Sequence, residues 1–98
     1  MNINSIIEHL EQLAPPSLQE SYDNSGLIIG DRDVEVESVL LCLDSVEAVI
    51  DEAIKLGCGM VVAHHPILFS GLQSLTGRNY IERTILKAIK NDIAIYAI

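Results

Sequence analysis

The sequence is short of positive charge. Six lysines and arginines stand against fourteen aspartates and glutamates, so the 98 residues carry a formal net charge of −8 at pH 7. Coulomb repulsion from this acidic excess disfavours nucleic acid and anionic membrane surfaces as partners. A phosphate-bearing ligand would need a bound cation beside it, because a metal ion reverses the sign of the local field.

Cysteine is also scarce, and its spacing supports neither a metal site nor a disulfide framework. Cys42 lies within an apolar run and Cys58 follows a glycine, with no Cys-x-x-Cys pair. The chain opens without a basic-then-apolar leader, and its apolar runs fall far short of the ~20 residues that a membrane span needs. We therefore expect a soluble cytoplasmic protein without ligating thiols.

Glycine-rich phosphate loops are missing as well. Neither the pair Gly26 and Gly30 nor the pair Gly71 and Gly77 is followed by the Lys-Ser/Thr dipeptide of a P-loop. A nucleotide-binding P-loop protein is therefore excluded.

Apolar residues are abundant, at 49% of the chain, and they recur with helical and strand periods in alternation. Segments with the helical period are 3–13, 46–56 and 80–90. Segments with a strand pattern are 27–30, 38–43, 60–63 and 93–98. This order predicts an α/β fold: a mostly parallel sheet with βαβ crossovers and helices on both faces. The run 38–43 has apolar residues on both faces, which is typical of a strand covered on both sides in a parallel sheet.

Polar residues ahead of the first two helices are candidate N-caps. Asn2 is the simplest cap of the first helix, while Ser5 with Glu8 offers a capping box that would start it a turn later. Asp44 or Ser45 would cap the second helix.

The chain ends on a predicted strand. A βαβαβ series normally continues into a covering element, so we expect residues 1–98 to be a fragment of a larger α/β domain. We expect such a fragment to expose apolar surface on its last strand and to associate in solution.

Two adjacent histidines follow the strand 60–63. His64 and His65 precede Pro66, at the carboxyl end of a parallel strand, where open sheets bind their ligands. Neighbouring residues of an extended strand point to opposite sides, so the two imidazoles should serve two ions rather than one. This predicts a dinuclear metal centre. The alternative is a structural pair that donates to carbonyls or stacks on its neighbours.

Other candidate ligands are few. Asp44 ends the neighbouring strand and is the best internal candidate, although capping of the second helix is the favoured explanation of this residue. Asp23 lies in a predicted tight turn that accounts for it without a metal. His9 fits a solvent-exposed helix position.

Four motifs together resemble the NIF-three-like family, whose members are called GTP cyclohydrolase I type 2 homologues. They are Ala14-Pro15-Pro16, Tyr22-Asp23-Asn24-Ser25-Gly26-Leu27, Leu43-Asp44 and Ala63-His64-His65-Pro66-Ile67-Leu68-Phe69. The resemblance covers residues 1–98, which correspond to the N-terminal portion of the family's α/β domain.

The resemblance implies a dinuclear centre of two divalent metal ions in the full-length protein, with His64 and His65 among its ligands. It places the remaining ligands, an aspartate, a histidine and a glutamate, beyond Ile98. We therefore expect this chain to hold an incomplete site, without native affinity for two ions.

The resemblance leaves two functions open. One is a metal-dependent hydrolase of the GTP cyclohydrolase type, acting on a small-molecule substrate. The other is a noncatalytic metal-binding scaffold or interaction protein. In both cases the resemblance implies a ring-shaped homo-oligomer, and the fragment by itself is expected to be inactive.

Overall fold

The computed structural model describes residues 1–13, 26–65 and 74–98, and in that part of the chain it has three helices and four strands. The helices are α1 (Ile3–Leu13), α2 (Glu47–Leu56) and α3 (Tyr80–Lys90). The strands are β1 (Gly26–Ile29), β2 (Val39–Asp44), β3 (Met60–His65) and β4 (Ala94–Ala97). Every predicted element is present, because the apolar periods mark where the chain must bury one face.

The strands form a single sheet in the order β1-β4-β3-β2. β2 pairs with β3 and β3 pairs with β4 in parallel, while β1 pairs with β4 antiparallel. The connections through α2 and α3 are therefore βαβ crossovers, and the mostly parallel sheet is confirmed.

Helices cover both faces of the sheet, as predicted. On one face α2 and α3 pack against β3 and β4 through Ile50, Ala53, Ile85, Val61 and Ile95. On the other face α1 inserts Ile3 and Ile7 among Met60, Val62 and Tyr96. Successive residues of β3 thus serve opposite cores, which is the two-residue period of a strand buried on both sides. No helix in the described part of the chain is long and apolar enough to cross a bilayer.

Two expectations about strand exposure are wrong: that the last strand exposes apolar surface, and that the strand at 38–43 is covered on both sides. β4 is an inner strand whose four residues are all buried, because β1 returns antiparallel along its outer side. The apolar surface lies instead on β2, at the opposite edge of the sheet, where Leu41 and Leu43 are 72% and 67% exposed. α1 packs mainly over β3 and β4 and leaves this face of β2 open.

The ends of α1 and α2 follow the sequence signals in part. The Asn2 side chain accepts a hydrogen bond from the Ser5 backbone N–H at 2.9 Å, which confirms Asn2 as the cap of α1 and excludes the later start at Ser5. Gly57 ends α2 in the left-handed conformation, with φ of 75°.

Reciprocal hydrogen bonds between Asn79 and Glu82 start α3. Asn79 accepts a hydrogen bond from the Glu82 backbone N–H at 2.9 Å, and its side-chain amide donates to the Glu82 carboxylate at 3.3 Å. The same carboxylate accepts from the backbone N–H groups of Thr76 and Arg78, and its residue is only 3% exposed. Glu82 therefore fixes the segment that leads into α3.

Substituting Glu82 should destabilise the fold in a pH-dependent way. The Thr76 N–H hydrogen bond is the main cause that holds the pKa of Glu82 below its usual range. A carboxyl whose pKa is lowered by folding stabilises the protein above its unfolded-state pKa, and this contribution is lost as the pH falls through the folded-state pKa. We expect Glu82→Gln to lower the melting temperature by several degrees at pH 7 and by much less at pH 3.

Circular dichroism melting curves of both proteins at the two pH values measure this effect. The control is Glu52→Gln, which changes an exposed carboxylate of α2. An equal loss at pH 7 and pH 3 would show that the charge of Glu82 contributes nothing.

Candidate metal centre

His64 and His65, the two predicted metal ligands, are the last two residues of β3. Met60 to Ala63 are buried between the two helical layers, whereas His64 and His65 are exposed. The strand therefore leaves the core at His64, and its last two side chains face solvent at the edge where parallel sheets bind ligands.

The imidazole rings of His64 and His65 lie close together. Their centroids are 4.9 Å apart and their planes are tilted by 49°. The prediction that the rings point to opposite sides is wrong, because the pleat sets only the directions of the Cβ atoms and no packed layer restrains the side-chain torsions beyond the core.

This ring separation is suited to metal binding. With metal–nitrogen bonds of roughly 2.0–2.1 Å, two imidazoles on one tetrahedral ion place their centroids about 5 Å apart. The same proximity allows each ring to bind one of two ions that are ~3.5–4 Å apart. The geometry of the described residues thus fits one shared ion as well as a pair.

Asp44 contacts His65. The parallel register of β2 and β3 pairs Asp44 with His65, and Asp44 Oδ1 lies 2.9 Å from His65 Nδ1. An ionised carboxylate can only accept a hydrogen bond, so His65 donates through Nδ1, and in the neutral imidazole Nε2 then carries the free lone pair. The side chain of His65 is 59% exposed and that of Asp44 is 63% exposed. An exposed pair of this kind stabilises a fold by about 0–1 kcal/mol.

The expectation that Asp44 or Ser45 caps α2 is wrong. α2 begins at Glu47 with Val46 as its N-cap, and no side chain bonds to the cap. Asp44 still belongs to β2, too far ahead of the helix to reach its first N–H groups, and its carboxylate turns to His65 instead. Ser45 is buried, and within the described residues its hydroxyl has no hydrogen-bond partner.

The remaining candidates do not join the site. Within residues 1–13, 26–65 and 74–98, no group of three or more His, Cys, Asp or Glu side chains could enclose an ion. His9 is an exposed residue of α1, and Cys58 is buried. Burial raises the pKa of the Cys42 thiol, which disfavours a thiolate ligand. Asp23 lies outside the described residues.

The contact between Asp44 and His65 is the feature that sequence reasoning missed. Each residue had been singled out, but their pairing depends on the register of two strands that are 21 positions apart in the chain. The signal that could have found it is the parallel arrangement predicted for the two strands, which brings their carboxyl ends to the same edge of the sheet.

These features describe an α/β protein with a candidate metal-binding edge made of two imidazoles, one of which is hydrogen-bonded to a neighbouring carboxylate. The model of the Duf34/NIF3 (NGG1p interacting factor 3) family matches residues 1–98, and the chain belongs to this family. The resemblance drawn from the four motifs is thereby confirmed.

Two curated relatives are longer than this chain. The "GTP cyclohydrolase 1 type 2 homolog" of Clostridium perfringens is 41% identical over 97 residues, which are 99% of this chain and 37% of the relative. The protein of the same name from Halalkalibacterium halodurans is 43% identical over 96 residues, which are 98% of this chain and 26% of the relative. The chain thus spans about a quarter to two fifths of the length of such curated relatives.

Solved structures share the fold. The crystal structure of Staphylococcus aureus protein SA1388 superposes with a TM-score of 0.93 at 42% identity, covering 99% of this chain and 28% of that one. Reduced HcgD from Methanocaldococcus jannaschii gives a TM-score of 0.91 at 34% identity, covering 100% of this chain and 39% of that one. The described sheet and helices therefore correspond to part of a larger protein in both cases.

Proposed function

We propose that His64 and His65 are ligands of a divalent-metal centre and that this centre serves a metal-dependent hydrolase. The observation that carries the proposal is the pair of exposed imidazoles, 4.9 Å apart between ring centroids, at the carboxyl edge of a parallel sheet. Imidazole nitrogens are the commonest ligands of zinc and related ions.

The surroundings suit a cation that acts on a substrate. A bound divalent ion supplies Lewis-acid chemistry that polarises the bond to be hydrolysed. Both histidines face solvent, so a small molecule can approach them, and the net charge of −8 attracts cations to the protein. The role of the chain's own residues is to hold the ion at a fixed position on a rigid strand.

The relatives support a hydrolytic role by name. Two proteins at least 41% identical to the matched residues are called GTP cyclohydrolase 1 type 2 homologs. We extend this to a centre of two divalent ions in the longer proteins, with a small-molecule substrate. Two imidazoles leave such ions short of their usual four to six ligands, so water or groups outside the described residues would complete the coordination.

Removal of one imidazole should abolish most of the metal affinity. Titration of the 98-residue chain with Zn²⁺ in a calorimeter should show binding that His64→Ala weakens at least ~100-fold, since loss of even an outer-shell partner costs 10–100-fold. The matched control is His9→Ala, which removes an exposed histidine of α1 and should leave binding unchanged. Equal affinities for the wild type and His64→Ala would refute the proposed site.

A noncatalytic scaffold is the second candidate function. Assays of the Zn²⁺- and Mn²⁺-loaded full-length protein against GTP and simple phosphoesters distinguish the two functions, because the 98-residue chain by itself is expected to be inactive. Turnover that disappears in His64→Ala supports the hydrolase, whereas metal binding through His64 without turnover supports the scaffold. Size-exclusion chromatography tests the homo-oligomer in both cases.

A further inference from the structure

We infer that Asp44 is a positioning residue that holds His65 in its metal-binding tautomer and orientation. The inference rests on the proposed function and deepens it, because it assigns a role to a residue that is not itself a ligand. Three observations lead to it: the strand register, the direction of the hydrogen bond and, within the described residues, the lack of another hydrogen-bond partner for the carboxylate.

The register gives Asp44 a fixed position beside His65. The two residues are directly paired in the parallel ladder of β2 and β3. The ladder is rigid up to this point, since Val61 and Val62 of β3 are buried between two helical layers. The carboxylate is therefore built into the sheet and does not depend on a flexible loop.

The hydrogen bond selects one tautomer of His65. Because Asp44 Oδ1 accepts from Nδ1 at 2.9 Å, the proton stays on Nδ1 and the lone pair stays on Nε2. A carboxylate bonded to one ring nitrogen also raises the basicity of the other nitrogen and restricts rotation of the ring. His65 is thus prepared to bind an ion through Nε2.

The same geometry argues against Asp44 as a ligand of that ion. Its oxygen lies on the Nδ1 side of the ring, whereas an ion bound through Nε2 lies on the opposite side. Within the described residues, the Asp44 carboxylate has no hydrogen-bond partner other than His65. It does not cap α2, and both side chains of the pair are exposed.

The test compares Asp44→Ala with Glu52→Ala, which removes an exposed carboxylate from α2 and so controls for the loss of one negative charge. Nitrogen-15 NMR of histidine-labelled, metal-free protein at pH 8 reports which nitrogen of His65 carries the proton. Calorimetric titration with Zn²⁺ then measures the affinity of each variant, and circular dichroism confirms that both are folded.

We expect the wild type and Glu52→Ala to show the Nδ1–H signature at His65. Asp44→Ala should lose this signature, bind Zn²⁺ 10- to 100-fold more weakly and melt within a few degrees of the wild type. A metal-free Asp44→Ala protein that keeps the Nδ1–H signature would overturn the inference. A weaker affinity with an unchanged tautomer would also overturn it, since Asp44 would then act as a direct ligand.

Failure of the proposed function would give a different result. In that case Zn²⁺ would leave the resonances of His64 and His65 unchanged in the wild type, whatever the tautomer of His65. The metal-free spectra test the hydrogen bond alone, and the titration tests the metal site alone.

Discussion

Ile50→Ala should lower the free energy of unfolding by about 2–5 kcal/mol, the usual loss when a buried isoleucine is cut back to alanine. Ile50 is completely buried on the inner face of α2, in the cluster that also contains Ala53, Val61 and Ile85. The truncation removes contacts with β3 and α3 together and leaves a cavity that the packed sheet cannot collapse to fill.

The control for this substitution lies one helical turn further along. Ile54 is 40% exposed, so Ile54→Ala should cost no more than about 1 kcal/mol while changing the same atoms on the same helix. Urea denaturation followed by circular dichroism measures both variants. Equal losses for the two positions would contradict the described placement of α2 on the sheet.

Gly30→Ala should destabilise the protein by about 2–5 kcal/mol, since it adds backbone strain to overpacking. Gly30 has φ of 126°, which side-chain-bearing residues rarely adopt, and a Cβ atom there would lie 2.7 Å from Ala94 Cβ. The clash falls on β4, an inner strand of the sheet, so its neighbours have no room to move away.

Gly57→Ala separates the two causes. Gly57 also has a positive φ, 75°, but a Cβ added to it meets no atom within 4 Å. Its substitution should therefore cost only the conformational strain, about 1–2 kcal/mol. Thermal and urea unfolding of both variants give the difference, and a Gly57→Ala loss as large as that of Gly30→Ala would rule out the predicted clash.

Both predictions concern the stability of the sheet and its helices, which hold the residues of the candidate metal centre in place. His65 and Asp44 meet because β2 and β3 are held in one register by the cores above and below them. A substitution that loosens those cores should weaken Zn²⁺ binding through misplacement of the imidazoles, even though it touches no ligand. Metal titrations of such variants are therefore interpretable only beside their stabilities.

Much of the fold could be predicted, and particular residues show where prediction ended. Ile3 and Ile7 recur at helical spacing, so the presence of α1 followed from local signals, whereas the choice between Asn2 and Ser5 as its cap needed the structure. Leu41 and Leu43 show the opposite case. They lie in a run that is typical of a covered strand, yet they are exposed, because coverage depends on where α1 packs in the tertiary structure.

By itself, the sequence determined the order and approximate bounds of the helices and strands, the acidic charge and the placement of His64 and His65 at the end of a parallel strand. Each of these depends on residues close together in the chain, which hydrophobic periods and turn residues reveal. The tertiary structure alone decided that β4 is an inner strand, that the two imidazoles converge and that Asp44 bonds to His65. These features depend on strand pairing and side-chain torsions between distant segments, and no local period encodes them.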